Sequence, residues 1–122
     1  MNSYFNTTNE PDPKLFEVKA RTQEKIILEI FRKYPDLTAS ECHKLFPGFQ
    51  VPLTSIRRAI TNLATDSYRN DKGIFHVTRI GITPMQFPMS VLIKEAKLFK
   101  TDTKRIGMYN RNEYAYKIIN RL

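Results

Sequence analysis

Ser55, Arg57, Arg58, Thr61 and Asn62 fall within one short stretch, at spacings that put them on the polar side of a helix. Their donors suit a polyanion. An arginine fork pairs bidentately with a guanine edge, and an asparagine amide does so with adenine. Hydroxyls near a helix start lie where free backbone N–H groups favour phosphate oxygens. Thr54 supplies one such hydroxyl and reads as the N-cap. A second basic group, Lys100, Lys104, Arg105 and Arg111 with Tyr109 among them, comes later in the chain, and Lys117 and Arg121 follow it. Basic side chains of this kind can straddle a phosphate backbone or enter a minor groove.

The charge distribution points the same way. Residues 1–50 carry seven Lys/Arg and seven Asp/Glu, so the whole net charge of +8 falls after position 50. A one-sided surplus fits a polyanionic partner better than a generic solubility charge, which would spread along the chain.

Other reactive residues form no working set. Cys42 and His43 are adjacent, the only other histidine is His76, and there is no second cysteine. A zinc site needs about four ligands, and neighbouring residues on a helix do not face each other as a nucleophile and its base must. Asp66, Asp71 and Asp102 stand in turn-like surroundings, with no paired-acid spacing, and four glycines give no phosphate-cradling loop. The expectation is a protein with no catalytic residues, no metal and no cofactor, hence not an enzyme. One cysteine also rules out an internal disulfide and suits a reducing cytosol. No apolar run reaches the ~20 residues of a membrane helix, so no membrane partner is expected.

The elements that must position the basic residues can be read from periodicity. Residues 19–34 place Ile27, Ile30, Phe31 and Tyr34 on one helical face, and Pro35 ends that helix. Thr38-Ala39-Ser40-Glu41 is a capping box opening a short second helix that Pro47-Gly48 stops. A third helix is expected over 54–65, with Ile56, Ala59, Ile60 and Leu63 as its apolar stripe. Beyond it, 68–73 reads as a turn-rich loop, 73–82 as a strand, and 90–98 as a short helix carrying Leu92, Ala96 and Phe99 on one side. The C-terminal segment reads as a hairpin. A strand over 97–101 leads to a basic loop in which Gly107 and Asn110 can take positive φ, then to an alternating strand over 113–119. Tyr114 and Tyr116 are expected in the core, and the Tyr109 ring on the hairpin strands.

Three helices followed by a basic hairpin is the order of a winged helix-turn-helix. The run Thr54-Ser55-Ile56-Arg57-Arg58-Ala59-Ile60-Thr61-Asn62-Leu63 resembles the recognition helix of small winged-helix proteins of bacteriophages and prophages. The tail resembles their wing: Leu98-Phe99-Lys100-Thr101, the G-x-Y-x-R pattern at Gly107-Met108-Tyr109-Asn110-Arg111, and the closing Glu113-Tyr114-Ala115-Tyr116-Lys117. The likeness covers residues 19–65 and 95–119. It implies an α+β fold with a three-helix core and a C-terminal β-hairpin wing. It also implies a double-stranded DNA partner, a regulatory or DNA-transaction role, and the cytosol of a bacterial host.

The domain reading is a flexible arm over 1–17 and a winged-helix domain over 18–122. The chain departs from the family pattern in a longer link over 47–53 and in an insertion over about 66–94. Met85, Phe87, Met89, Val91 and Leu92 give that insertion apolar surface for a homodimer or a protein partner. The rival to DNA binding is therefore a winged-helix protein-interaction module.

Overall fold

The computed structural model describes residues 13–47 and 51–119, with side-chain surroundings from residue 21 onward. The described residues fold as a mixed α+β domain of three α-helices and two small antiparallel sheets. Helix α1 spans Pro13–Lys33, α2 Ala39–Leu45 and α3 Leu53–Leu63. Strands β1 (Thr65–Asn70), β2 (Gly73–Thr78) and β3 (Val91–Lys94) form one sheet in the order β2-β1-β3, and β4 (Leu98–Ile106) pairs with β5 (Asn112–Ile118) in the other. Among the described residues no helix is long and apolar enough to cross a membrane.

Pro13 opens α1 at the first helical position, where its fixed φ and missing N–H cost nothing. Residues 13–17 are thus helical and not part of an arm; positions 1–12 lie outside the described residues. Ile27, Ile30 and Phe31 are buried as their spacing requires. Tyr34 is not: Pro35 drives it out of the helical region after Lys33, and it is 41% exposed. Helix α2 starts on the expected capping box. The Glu41 N–H donates to Thr38 Oγ1 at 3.2 Å, and the Thr38 N–H donates to Glu41 Oε1 at 2.9 Å. Helix α3 begins one residue early, with Pro52 in the cap position and Thr54 exposed inside the first turn. It ends at Leu63, because Thr65 already belongs to β1.

The core lies between the helices and the base of the hairpin. Ile27, Phe31, Ile56, Ile60, Leu98 and Ala115 are sealed from solvent, each large aliphatic or aromatic side chain contributing about 1.5–3 kcal/mol. Leu37 joins this hairpin sheet by a two-way bridge to Tyr116, with N···O distances of 3.1 and 2.8 Å. It fixes the link between α1 and α2 against β5.

Residues 65–94 fold apart from that core, between α3 and β4. The expected helix over 90–98 is instead strand β3 followed by a short link. The run Val91-Leu92-Ile93, with β-branched Val91 and Ile93, finds an antiparallel partner in β1, and long-range pairing overrides the accidental helical spacing of Leu92, Ala96 and Phe99. The turn-rich reading of 68–73 shrinks in the same way to a tight turn at Asp71-Lys72 between β1 and β2. Tyr68, Phe75 and Phe87 stack and cross edge-to-face at 4.9–5.4 Å between ring centres, giving the sheet its own small core.

Backbone hydrogen bonds tie this sheet to the end of α3: the Arg79 N–H donates to the Ala64 carbonyl at 2.6 Å and the Lys97 N–H to the Leu63 carbonyl at 2.7 Å. Beside them a buried ion pair closes the insertion on itself. Arg79 donates from Nε and Nη2 to the two oxygens of Asp66 at 2.9 and 2.7 Å, and the Ala96 N–H reaches the same carboxylate at 2.7 Å. Asp66 is therefore not a turn residue but the anchor of the insertion. Burial pushes its carboxyl up, yet hydrogen bonds from Arg79 and Ala96 and the charges of Arg79 and Lys94 outweigh that and hold it below the usual range.

Candidate nucleic-acid interface

Helix α3 turns Leu53, Ile56, Ala59, Ile60 and Leu63 inward, so Thr54, Arg58, Thr61 and Asn62 face solvent and Ser55 is half-buried. Arg57 leans toward the hairpin, where its Nη2 meets Glu113 Oε2 at 3.1 Å. Between α3 and the hairpin runs a groove of about 340 Å³. Arg57 and Thr61 line it from the helix, and Lys100, Arg111 and Tyr114 from the hairpin. The two basic segments of the sequence thus share one wall-to-wall feature, although they are far apart along the chain.

Glu113 holds this arrangement together. It accepts from the Ser40 backbone N–H at 3.0 Å, from Ser40 Oγ at 2.7 Å and from Arg57. Ser40 Oγ in turn accepts from the Met108 N–H at 2.9 Å. One carboxylate therefore links α2, α3 and β5. Burial pushes the Glu113 carboxyl up, but the two Ser40 hydrogen bonds and Arg57 together leave it lowered. A Cβ at Gly107 would meet that carboxyl group directly. Glycine stands there for space and not for a positive φ, which belongs to Tyr109 and Asn110 at 61° and 58°.

The hairpin residues expected at the interface divide into three kinds. Lys100 and Lys104 both lie over the Tyr114 ring, at 4.0 and 5.0 Å from its centre. Tyr114 is consequently exposed on the groove side and not in the core, whereas Tyr116 packs against the core. Arg111 is exposed, and so is Tyr109, whose ring is 78% accessible and does not lie on the strands. Arg105 differs from its neighbours. Its guanidinium spans both oxygens of Glu41 at 2.8 and 2.9 Å and reaches Asp36 at 3.1 Å. Those hydrogen bonds raise its pKa, Glu41 contributing most. Its charge is balanced inside the molecule, tying β4 to the start of α2, and it is less exposed than Lys104 and Arg111.

Cys42 and His43 lie outside the interface. Burial pushes the Cys42 thiol up to about 12, which keeps it un-ionised at neutral pH. His43 Nε2 lies 2.8 Å from the Val51 carbonyl and fastens the link between α2 and α3. Sequence reasoning missed the Glu113–Ser40–Arg57 network and the Arg79–Asp66 pair. No local pattern signals either, since their members lie 56–73 and 13 positions apart. The chain matches no protein-family model, and no match to it is found among curated proteins or solved structures.

Proposed function

We propose that the protein binds double-stranded DNA as a winged helix-turn-helix. Helix α3 enters the major groove, and the β4–β5 hairpin serves as a wing against the flanking backbone or minor groove. The observation that carries this reading is the shared groove, with Arg57 and Thr61 on one side and Lys100 and Arg111 on the other. The Leu37–Tyr116 bridge supports the fold assignment, because it pairs one extended residue between the first two helices with a hairpin that follows the third. Arg58, Asn62 and Ser55 read or position on base edges, Thr54 meets phosphate near the start of α3, and Lys104, Arg111 and Tyr109 hold the backbone. The role is that of a phage or bacterial regulator or DNA-transaction accessory factor in the host cytosol, acting by binding and not by catalysis.

Duplex titrations at several salt concentrations test the proposal. Arg58→Ala should weaken binding by about 1–3 kcal/mol and relax sequence preference, while Lys104→Ala weakens all sequences alike and makes the salt slope shallower by about one. If both variants bind as the parent does, the mechanism is wrong. A second reading, a protein-interaction module, is favoured by the free edge of β3, where Val91, Leu92 and Ile93 are all exposed beside Met89. Absence of salt-dependent duplex binding at low ionic strength would put that reading first.

A further inference from the structure

The three-stranded sheet has two chemically different faces. Residues alternate across β1 and β2, and the register pairs Tyr68 with both Phe75 and Leu92 on the inner, aromatic face; a register shift at Ser67/Tyr68 then sets Lys94, two residues beyond Leu92, opposite Ser67. The outer face carries Thr65, Ser67 and Arg69 of β1; His76 and Lys94 flank and cover the buried Ser67, and the exposed Ile74 and Val91 flank Arg69. The Ser67 hydroxyl lies 2.7 Å from His76 Nδ1, which fixes both side chains on that face. The positions alternating with Ser67 contain no carboxylate: Asp66 belongs to the inner face and is neutralised by Arg79, and Asp71 stands in the turn at the far end. Arg69 is exposed and, among the described residues, makes no ion pair.

This face is continuous with the exposed side of α3. Lys94 Nζ donates to the Asn62 carbonyl at 3.0 Å, and Thr65 Oγ1 donates to the Thr61 carbonyl. Thr61 also lines the hairpin groove, so the end of α3 has a basic element on each flank.

We infer that the outer face of the β1–β3 sheet is a second DNA-backbone contact, a cationic flank opposite the hairpin wing, in which Lys94 and Arg69 neutralise phosphates and His76 donates between them. The inference rests on the duplex-binding reading and extends its footprint. Charge complementarity selects the partner: an acidic protein surface would meet the same cations, but only a duplex would also engage the adjoining face of α3. Arg69 lies four residues past Thr65, about 13 Å along an extended strand, which corresponds to roughly four base-pair steps of 3.4 Å. Contacts therefore reach up to about four base pairs beyond the end of α3.

The test is salt-titrated anisotropy of the full chain on a labelled duplex, comparing the parent, Arg69→Gln and Arg69→Gln/Lys94→Gln. The single variant touches no internal partner and controls for any loss of the Lys94 contact with α3. Two phosphate contacts removed should make the slope of log affinity against log salt shallower by about two, and the single variant by about one. Between 50 and 200 mM salt the parent then loses roughly tenfold more affinity than the double variant. Sequence preference should not change, and hydroxyl-radical protection should retreat on one flank only. Parent binding with unchanged slopes and protection in both variants would overturn this inference alone. No duplex binding by the parent would overturn it together with the reading beneath it.

Discussion

The two sheets carry arginine–carboxylate contacts of opposite character, one within the three-stranded sheet and the others between the hairpin and the helices. At the three-stranded sheet, Arg79 and Asp66 are 1% and 2% exposed, and every oxygen of the carboxylate is used. At the hairpin, Arg57 and Glu113 are 43% and 9% exposed, and Arg105 stands a third open beside Glu41 and Asp36. A dry pair is costly to break because the surviving partner is left as a buried, uncompensated charge. An open pair loses little, since water replaces the lost partner. The three-stranded sheet is thus closed on itself by a pair that is costly to open, while the hairpin is held to the helices by contacts that can yield beside the groove.

Breaking the dry pair should give the largest effect. Arg79→Met strands Asp66 and is expected to lower stability by about 3–5 kcal/mol in urea unfolding, and pairing it with Asp66→Leu should recover most of that loss. A cost of the single variant no greater than that of an exposed pair would erase the distinction between the two. Next comes the Glu113 hub. Glu113→Ala deprives the Ser40 N–H and hydroxyl of their acceptor and should cost about 1–3 kcal/mol. Gly107→Ala pushes the same carboxylate away, so the two changes together should cost clearly less than their sum. Additivity would show that Gly107 and Glu113 act separately.

Arg105→Ala sharpens the comparison further. It is expected to cost no more than about 1 kcal/mol of stability and to change duplex affinity less than Lys104→Ala does, because Arg105 is occupied by Glu41 and Asp36. The smallest effect is expected from mild acid. Asp66, Glu113 and Glu41 are all held below their ordinary values. Their contribution to stability is fully present above the unfolded carboxylate range of about 4, so these groups add no slope between pH 8 and 5. The contribution is lost as pH falls through the depressed folded values. Chemical denaturation at stepped pH checks this; a loss attributable to these carboxylates already at pH 6 would contradict their assigned partners.

Much of the helical body was legible because its signals are local. The Thr38 capping box, Pro35 as a stop and the Ile56–Ile60–Leu63 stripe each act within a few residues. The basic face of α3 followed from that stripe, since whatever is not inward on a short helix is outward. The insertion was misread where local spacing and distant pairing compete: Leu92, Ala96 and Phe99 are spaced as on a helix, but Val91–Lys94 has an available strand partner in β1. The pairing of Arg105 was not legible because its charge is visible in the chain and its two acidic partners, 64 and 69 positions away, are not.

By itself, then, the sequence determined the three helices, the closing hairpin and the side of α3 left for a partner, since hydrophobic period and cap chemistry work over one or two turns. Only the tertiary structure decided which charges remain available. Whether an arginine is free depends on carboxylates brought to within about 3 Å by the fold, and that proximity paired Arg105 and Arg79 while leaving Arg58, Arg69 and Arg111 on the surface.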